Sequence, residues 1–163
     1  MGYYDTAQIC LNGHVITDQY NSSPEFRRPY CKLCGKKTIT TCETCGTSIQ
    51  GDYTVPEVVV IGSGMVDAPA YCDACGNPYP WTRAKVVAAH ALAGELAELS
   101  EPQRIMLRAS FDDIGSDGPM TEVAVFRIKN LIRSLPAAAA EAVRKLAIEL
   151  ASETAAKLLK GQP

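Results

Sequence analysis

Apolar residues recur every three or four positions through the second half of the chain, the spacing of one face of an α-helix. The pattern predicts four helices, at about residues 83–99, 101–114, 121–135 and 136–159. Thr82 and Ser100 suit the capping positions of the first two helices. We expect the four helices to form a small bundle, or to pack in part on the first half of the chain.

The first half has a different pattern, with short β-branched runs between glycine and proline turns. Residues 52–55 and 57–61 are predicted strands, and Gly62-Ser63-Gly64 is the turn that follows them. Every cysteine and tyrosine lies in residues 1–81, and none lies in residues 82–163. This change in composition predicts two domains, with a boundary near Trp81.

The first half also contains eight candidate metal ligands that occur as four pairs. They are Cys10 with His14, Cys31 with Cys34, Cys42 with Cys45, and Cys72 with Cys75. Two thiolates three positions apart in a tight turn can both reach one metal ion. A glycine follows each Cys-x-x-Cys pair, and glycine readily adopts the positive φ that such a turn requires.

Eight ligands complete two tetrahedral sites with no ligand left over, so we predict two structural zinc ions per chain. Sequential pairing would join the first pair with the second and the third with the fourth. A cross-brace would join the first with the third. We favour sequential pairing because each long gap can supply its own hairpin. The predicted fold class is α+β, with an N-terminal double zinc ribbon of short β-hairpins at residues 1–81 and a bundle of about four helices at residues 82–163.

The charge of the first half and the lack of targeting features limit the localisation and the ligands that we expect. Residues 1–5 lack the features of a signal peptide, and no apolar run is long enough to cross a bilayer, so we expect a cytoplasmic protein without membrane contact. A reducing cytosol favours metal binding over disulfides for seven cysteines. Residues 1–81 contain five Lys and Arg against eight Asp and Glu, and bound thiolates would bring this half to about −6. That charge disfavours general nucleic-acid binding.

Several motifs together resemble a known family. They are CLNGH at residues 10–14, YCKLCG at 30–35, CETCG at 42–46, and YCDACG at 71–76, which leads into PYPWT. They are similar to a family of small bacterial zinc-ribbon proteins classified only as a domain of unknown function. The resemblance covers about residues 3–82, and the helical half only by general character. It implies zinc binding in a bacterial, intracellular setting and implies no activity.

Two further features are candidate contact sites. All five cations of the first half lie within eleven residues, with Phe26 and Tyr30 among them: Arg27, Arg28, Lys32, Lys36 and Lys37. This mixture can hold phosphates while stacking bases, although the same cations can also offset the charge of the zinc thiolates. Trp81 is the sole tryptophan. It would pack the ribbon against the first helix, or contact a partner protein if it were exposed.

Three functional hypotheses follow. The favoured one is an adaptor that binds another protein through structural zinc ribbons. Whether the helical half also forms homo-oligomers is left open. The alternative is a nucleic-acid-associated factor that uses residues 27–37. A zinc hydrolase is the third, and it is disfavoured because four protein ligands leave no open position on either metal. We therefore expect no enzymatic activity.

Overall fold

The computed structural model describes residues 2–55 and 64–161 of the 163-residue chain. It has two compact units, Met1–Arg83 and Ala84–Pro163. The division falls two residues after the predicted boundary at residue 81. Short antiparallel strands occupy the first unit and helices the second, so the fold class is α+β as predicted.

The described residues of the N-terminal unit form five short strands in two antiparallel sheets. The strands are β1 Tyr3–Thr6, β2 Gln8–Cys10, β3 Val15–Thr17, β4 Thr38–Ile39 and β5 Gln50–Thr54. One sheet has the order β3-β2-β4, and the other pairs β1 with β5. The predicted strand at residues 52–55 therefore overlaps β5, whose partner is β1. The predicted strand at residues 57–61 and most of its turn lie outside the described residues.

Gly51 permits a close approach of two backbone segments within this unit. A Cβ atom at position 51 would collide with the carbonyl oxygen of Asp18 and would lie 2.8 Å from the carbonyl carbon of Thr6. The backbone N–H of Asp52 donates to the same Asp18 oxygen at 2.9 Å. Because these neighbours are backbone atoms held by hydrogen bonds, only glycine fits this position without displacing a strand.

The apolar core of the N-terminal unit is small and includes two of the candidate ligands. Its buried members are Ala7, Ile9, Cys42, Ile49, Cys72, Tyr79 and Trp81. Trp81 is only 2% exposed, and its ring stacks on that of Tyr79 with the centroids 4.7 Å apart. Its indole N–H donates to the carbonyl oxygen of Pro69 at 2.8 Å, which satisfies its one polar group.

Five helices follow in the chain, and the first starts earlier than predicted. They are α1 Pro80–Glu95, α2 Glu101–Ile114, α3 Thr121–Ser134, α4 Ala137–Leu150 and α5 Glu153–Lys160. We predicted that Thr82 would cap the first helix, but α1 begins at Pro80, where proline lacks only an N–H that has no helical partner. The Thr82 hydroxyl donates instead to the carbonyl oxygen of Ala70 at 2.8 Å.

The last predicted helix is divided into α4 and α5. Ala151 has an extended backbone with ψ of 138°, and the N–H of Ser152 donates to the carbonyl oxygen of Ile114 at 2.8 Å. The Ser152 hydroxyl then accepts from the N–H of Ala155 at 3.3 Å and caps α5. Ser152 therefore ends one helix and begins the next, so the described residues form five helices rather than four.

The helical unit has its own apolar core, formed by the predicted stripes of its helices. Phe111, Ile128 and Val143 are fully buried, from α2, α3 and α4 respectively. Each lies on a stripe of buried apolar residues at helical spacing, and the burial of such stripes drives helices together. None of the helices within the described part of the chain is long and apolar enough to span a bilayer.

Candidate metal centres

The structure brings the eight candidate ligands into two groups of four. Cys10, His14, Cys31 and Cys34 form the first, and Cys42, Cys45, Cys72 and Cys75 form the second. Within each group the ligand atoms lie within 4.8 Å of one another, so each group could hold one metal ion. Sequential pairing of the four turns is thereby confirmed, and the cross-brace alternative is wrong.

The distances in the first group match the edges of a tetrahedron around a metal. Sγ of Cys10 lies 3.7 Å from Sγ of Cys34, and Nδ1 of His14 lies 3.5 Å from Sγ of both Cys10 and Cys31. Metal–sulfur bonds of about 2.3 Å and metal–nitrogen bonds of about 2.0–2.1 Å give tetrahedral edges of about 3.8 and 3.6 Å. Disulfide sulfurs would lie only about 2.05 Å apart, so these cysteines are arranged as ligands.

The second group contains four thiols with the same spacing. Sγ of Cys42 lies 3.8 Å from Sγ of Cys75, and Sγ of Cys45 lies 3.6 Å from Sγ of Cys72. Cys42 and Cys72 are buried, whereas Cys45 is exposed at the surface. The second group is therefore more accessible to solvent than the first, on the side where Cys45 lies.

Three of the ligand turns share one backbone geometry, which explains the repeated Cys-x-x-Cys-Gly motif. In each turn the glycine N–H donates to the carbonyl oxygen of the first cysteine at 2.8 Å. Gly35, Gly46 and Gly76 have φ values of 68°, 75° and 70°, which are strained for other residues. The backbone thus curls around the two sulfurs and directs both towards one point.

The first turn is the variant that carries His14, and Trp81 packs against it. Gly13 has φ of 86°, and a Cβ atom there would lie 3.0 Å from Cβ of Trp81. The N–H of Cys10 donates to the carbonyl oxygen of His14 at 3.0 Å and closes this turn. Trp81 therefore lies in the core directly behind a ligand turn, a contact that sequence spacing could not reveal.

Backbone N–H groups point at sulfur atoms and favour their charged form. The N–H of His14 lies 3.3 Å from Sγ of Cys10, and the N–H of Leu33 lies 3.4 Å from Sγ of Cys31. Burial raises the pKa of Cys31, but hydrogen bonds from the N–H groups of Leu33 and Cys34 outweigh burial and bring this pKa down to about 7. A cation bound among such thiols would add to this effect.

The second group shows the same effect at its exposed ligand. Thr47 Oγ1 lies 3.3 Å from Sγ of Cys45, and hydrogen bonds to the side chain and backbone of Thr47 lower the pKa of Cys45 to about 6. Burial instead raises the pKa of Cys72 on the inner side of the group. The pKa values of Cys45 and Cys72 are therefore shifted in opposite directions by their surroundings.

The five candidate nucleic-acid contacts are all exposed and unpaired with carboxylates. In the described ranges, no carboxylate oxygen lies within 4.0 Å of the charged nitrogens of Arg27, Arg28, Lys32, Lys36 or Lys37. The Arg27 guanidinium lies over the ring of Tyr20 at 4.2 Å. The neighbouring Phe26 and Tyr30 rings are exposed as well. The basic cluster therefore forms a solvent-facing patch with two aromatic rings.

Trp81, the candidate partner contact, is not part of the surface. Its side chain lies in the core of the N-terminal unit and its N–H is already bonded. The alternative of a partner contact, which required an exposed ring, is therefore wrong, and Trp81 is a core residue as the favoured interpretation predicted. The ring is buried because it fills the space between the His14 turn and Tyr79.

Fold and site together define an α+β protein with two groups of four ligand residues on ribbon-type turns, each of which could hold a metal ion. The chain belongs to the family described as "Uncharacterized protein conserved in bacteria (DUF2321)", whose model matches residues 3–159. The predicted resemblance is confirmed, and the match extends beyond residue 82 through the helical half. No curated protein and no solved structure matches the chain.

Proposed function

We propose that this protein is an adaptor in which two structural zinc ions shape a surface that binds another protein. Zinc is the metal proposed because four-thiolate and three-thiolate-plus-imidazole tetrahedra are its usual structural sites. Each group supplies four protein ligands, which leaves no position for a substrate or a reactive water. Elemental analysis should find two zinc ions per chain, and no hydrolytic activity should accompany them.

One observation carries the proposal: an exposed leucine stands between two ligands of the first group. Leu33 lies in the turn between Cys31 and Cys34 and is 70% exposed. Phe26 and Met65 are also exposed and line the same cavity as Leu33, and several apolar side chains grouped in this way suit a contact surface, which a single exposed side chain such as Val87 does not. Because both ends of the turn are ligands, metal binding would set the position of this side chain.

A cavity of about 310 Å³ next to Leu33 extends this surface. Its apolar wall includes Val15, Ile16, Phe26, Leu33 and Met65. Arg28 and Lys32 also line it, so the cavity combines an apolar wall with two cations. An apolar anchor residue flanked by acidic residues on a partner protein would complement both features.

Partner capture from a bacterial lysate, with and without a charge at this surface, tests the proposal. Leu33→Asp should abolish capture of the partner while the two metals stay bound, because the change adds a buried charge to the contact. Val87→Asp is the matched control, since Val87 is 68% exposed in the helical unit. A partner retained by Leu33→Asp, or lost equally with Val87→Asp, would contradict the proposed surface.

Nucleic-acid binding is the second candidate, and the solvent-facing basic patch is the observation that favours it. Binding to single- and double-stranded DNA and RNA should be measured at about 150 mM salt, where phosphate contacts are strongly weakened. We expect weak binding, because the acidic remainder of the unit opposes the patch. Submicromolar binding that is lost when Arg27, Arg28 and Lys32 become Ala would favour this second function over the first.

A further inference from the structure

The helical unit contains a second cavity, separate from the metal centres. It measures about 190 Å³ and is lined by residues of three helices. They are Lys129, Ile132 and Arg133 of α3, Arg144 of α4 and Leu159 of α5. Three cations therefore surround two aliphatic side chains. We call these five residues the cationic groove.

The cations of the cationic groove are not neutralised by the protein. Across residues 84–161, the charged nitrogens of Lys129, Arg133 and Arg144 have no carboxylate oxygen within 4.0 Å. Arg133 instead donates from Nη1 to the amide oxygen of Asn130 at 3.3 Å. Lys129 and Arg133 are also four positions apart on one helix, where like charges repel. An anion in the groove would relieve this repulsion.

The wider charge distribution supports an anionic ligand. Residues 121–161 contain seven Lys and Arg against four Asp and Glu, whereas residues 84–120 contain three against six. The helical unit is therefore basic over α3 to α5 and acidic over α1 and α2, although its two halves cancel. A field of this kind steers anions towards the basic helices.

We propose that the cationic groove binds an acidic peptide segment of a partner protein, with one carboxylate held by Arg133 and Arg144. Guanidinium groups form paired hydrogen bonds with carboxylates, and Ile132 and Leu159 offer a surface for a neighbouring leucine-sized side chain. No aromatic side chain lines the groove on which a base could stack, which favours a peptide over single-stranded nucleic acid. This site is independent of the zinc ribbons and of the function proposed for them.

The probe is a fluorescent peptide with glutamates around a central leucine, titrated into the full-length protein at about 150 mM salt and followed by anisotropy. Arg133→Gln and Arg144→Gln should each weaken binding about tenfold, because each removes a charge-assisted contact. Lys145→Gln is the matched control, since it removes the same charge from the same helix as Arg144 but outside the groove. This control should bind within about twofold of the parent protein.

Folding and specificity are measured in parallel. Thermal unfolding of both glutamine variants should occur at the parent temperature or above it, because neither arginine has an ion pair among the described residues and Arg133→Gln also removes the repulsion with Lys129. Arg133→Glu with Arg144→Glu should lose the glutamate peptide and bind a peptide with lysines in place of the glutamates. Equal weakening by Lys145→Gln would overturn the proposal. Tighter binding of single-stranded DNA or inorganic phosphate than of the peptide would also overturn it and assign the groove to phosphates.

Discussion

Removal of the metal should unfold the N-terminal unit while the helical unit stays folded. Structural zinc contributes about 10–16 kcal/mol of apparent binding free energy per site in zinc-finger peptides. Small domains are stable by only about 5–15 kcal/mol in total. Loss of even one such site would therefore remove free energy comparable with the whole stability of this unit.

The apolar core of the N-terminal unit cannot compensate for that loss. Among the described residues this core has seven buried members, and two of them, Cys42 and Cys72, are themselves candidate ligands. The remaining five include only two large aliphatic side chains, Ile9 and Ile49, besides Tyr79 and Trp81. The helical unit has no ligand group within its described residues and has a separate core of sixteen buried residues. We therefore expect the metal to be required for the first unit alone.

Two optical signals separate the units in one chelator titration. Trp81 is the sole tryptophan and is buried in the N-terminal unit, so its emission should shift to the red as that unit unfolds. Far-ultraviolet circular dichroism reports mainly on α1 to α5, and most of this signal should remain. An unchanged Trp81 emission after elemental analysis has shown complete metal loss would refute the argument. Parallel loss of both signals would show instead that the units unfold together.

Four substitutions and one control test particular features of the two units. Cys72→Ser should reduce the metal content from two ions to one per chain and leave the metal in the first group. Cys10→Ser should instead leave the metal in the second group. Loss of both ions from either variant would contradict two independent sites. In chemical denaturation, Gly51→Ala should lower the free energy of unfolding of the N-terminal unit by about 1–3 kcal/mol. Gly118 has open space around it, so Gly118→Ala should change the free energy of unfolding little. Ser152→Ala should lower the free energy of unfolding of the helical unit by about 1 kcal/mol, and an unchanged value would rule out a capping role.

The sequence alone was sufficient to find the eight residues that the structure brings into two candidate metal-binding groups, because the spacing within each pair is local. A Cys-x-x-Cys-Gly turn brings two sulfurs together through backbone hydrogen bonds within six residues, as in the turn from Cys31 to Lys36. The count of eight ligands then required two sites. The apolar stripes of the helices could also be predicted from local sequence, since Phe111 and Ile128 lie on faces that any amphipathic helix would bury.

The long-range contacts could not be predicted from the sequence, because they join residues that come together only after folding. The pairing of β1 with β5 joins positions about fifty residues apart, and no periodicity within either strand specifies its partner. The break between α4 and α5 depends on a hydrogen bond from Ser152 to Ile114, within an alanine-rich stretch that favours a continuous helix.

Tertiary structure also determined which side chains are buried and which are exposed. Sequence composition marked Trp81 as either core or contact, and only the packing against Gly13 and Tyr79 placed it in the core. Lys129 and Arg144 lie fifteen positions apart on different helices, so their shared groove exists only once α3, α4 and α5 have packed. Residue type and short spacing determined which atoms can bind a metal, whereas the packing of distant segments determined which side chains remain free to meet a partner.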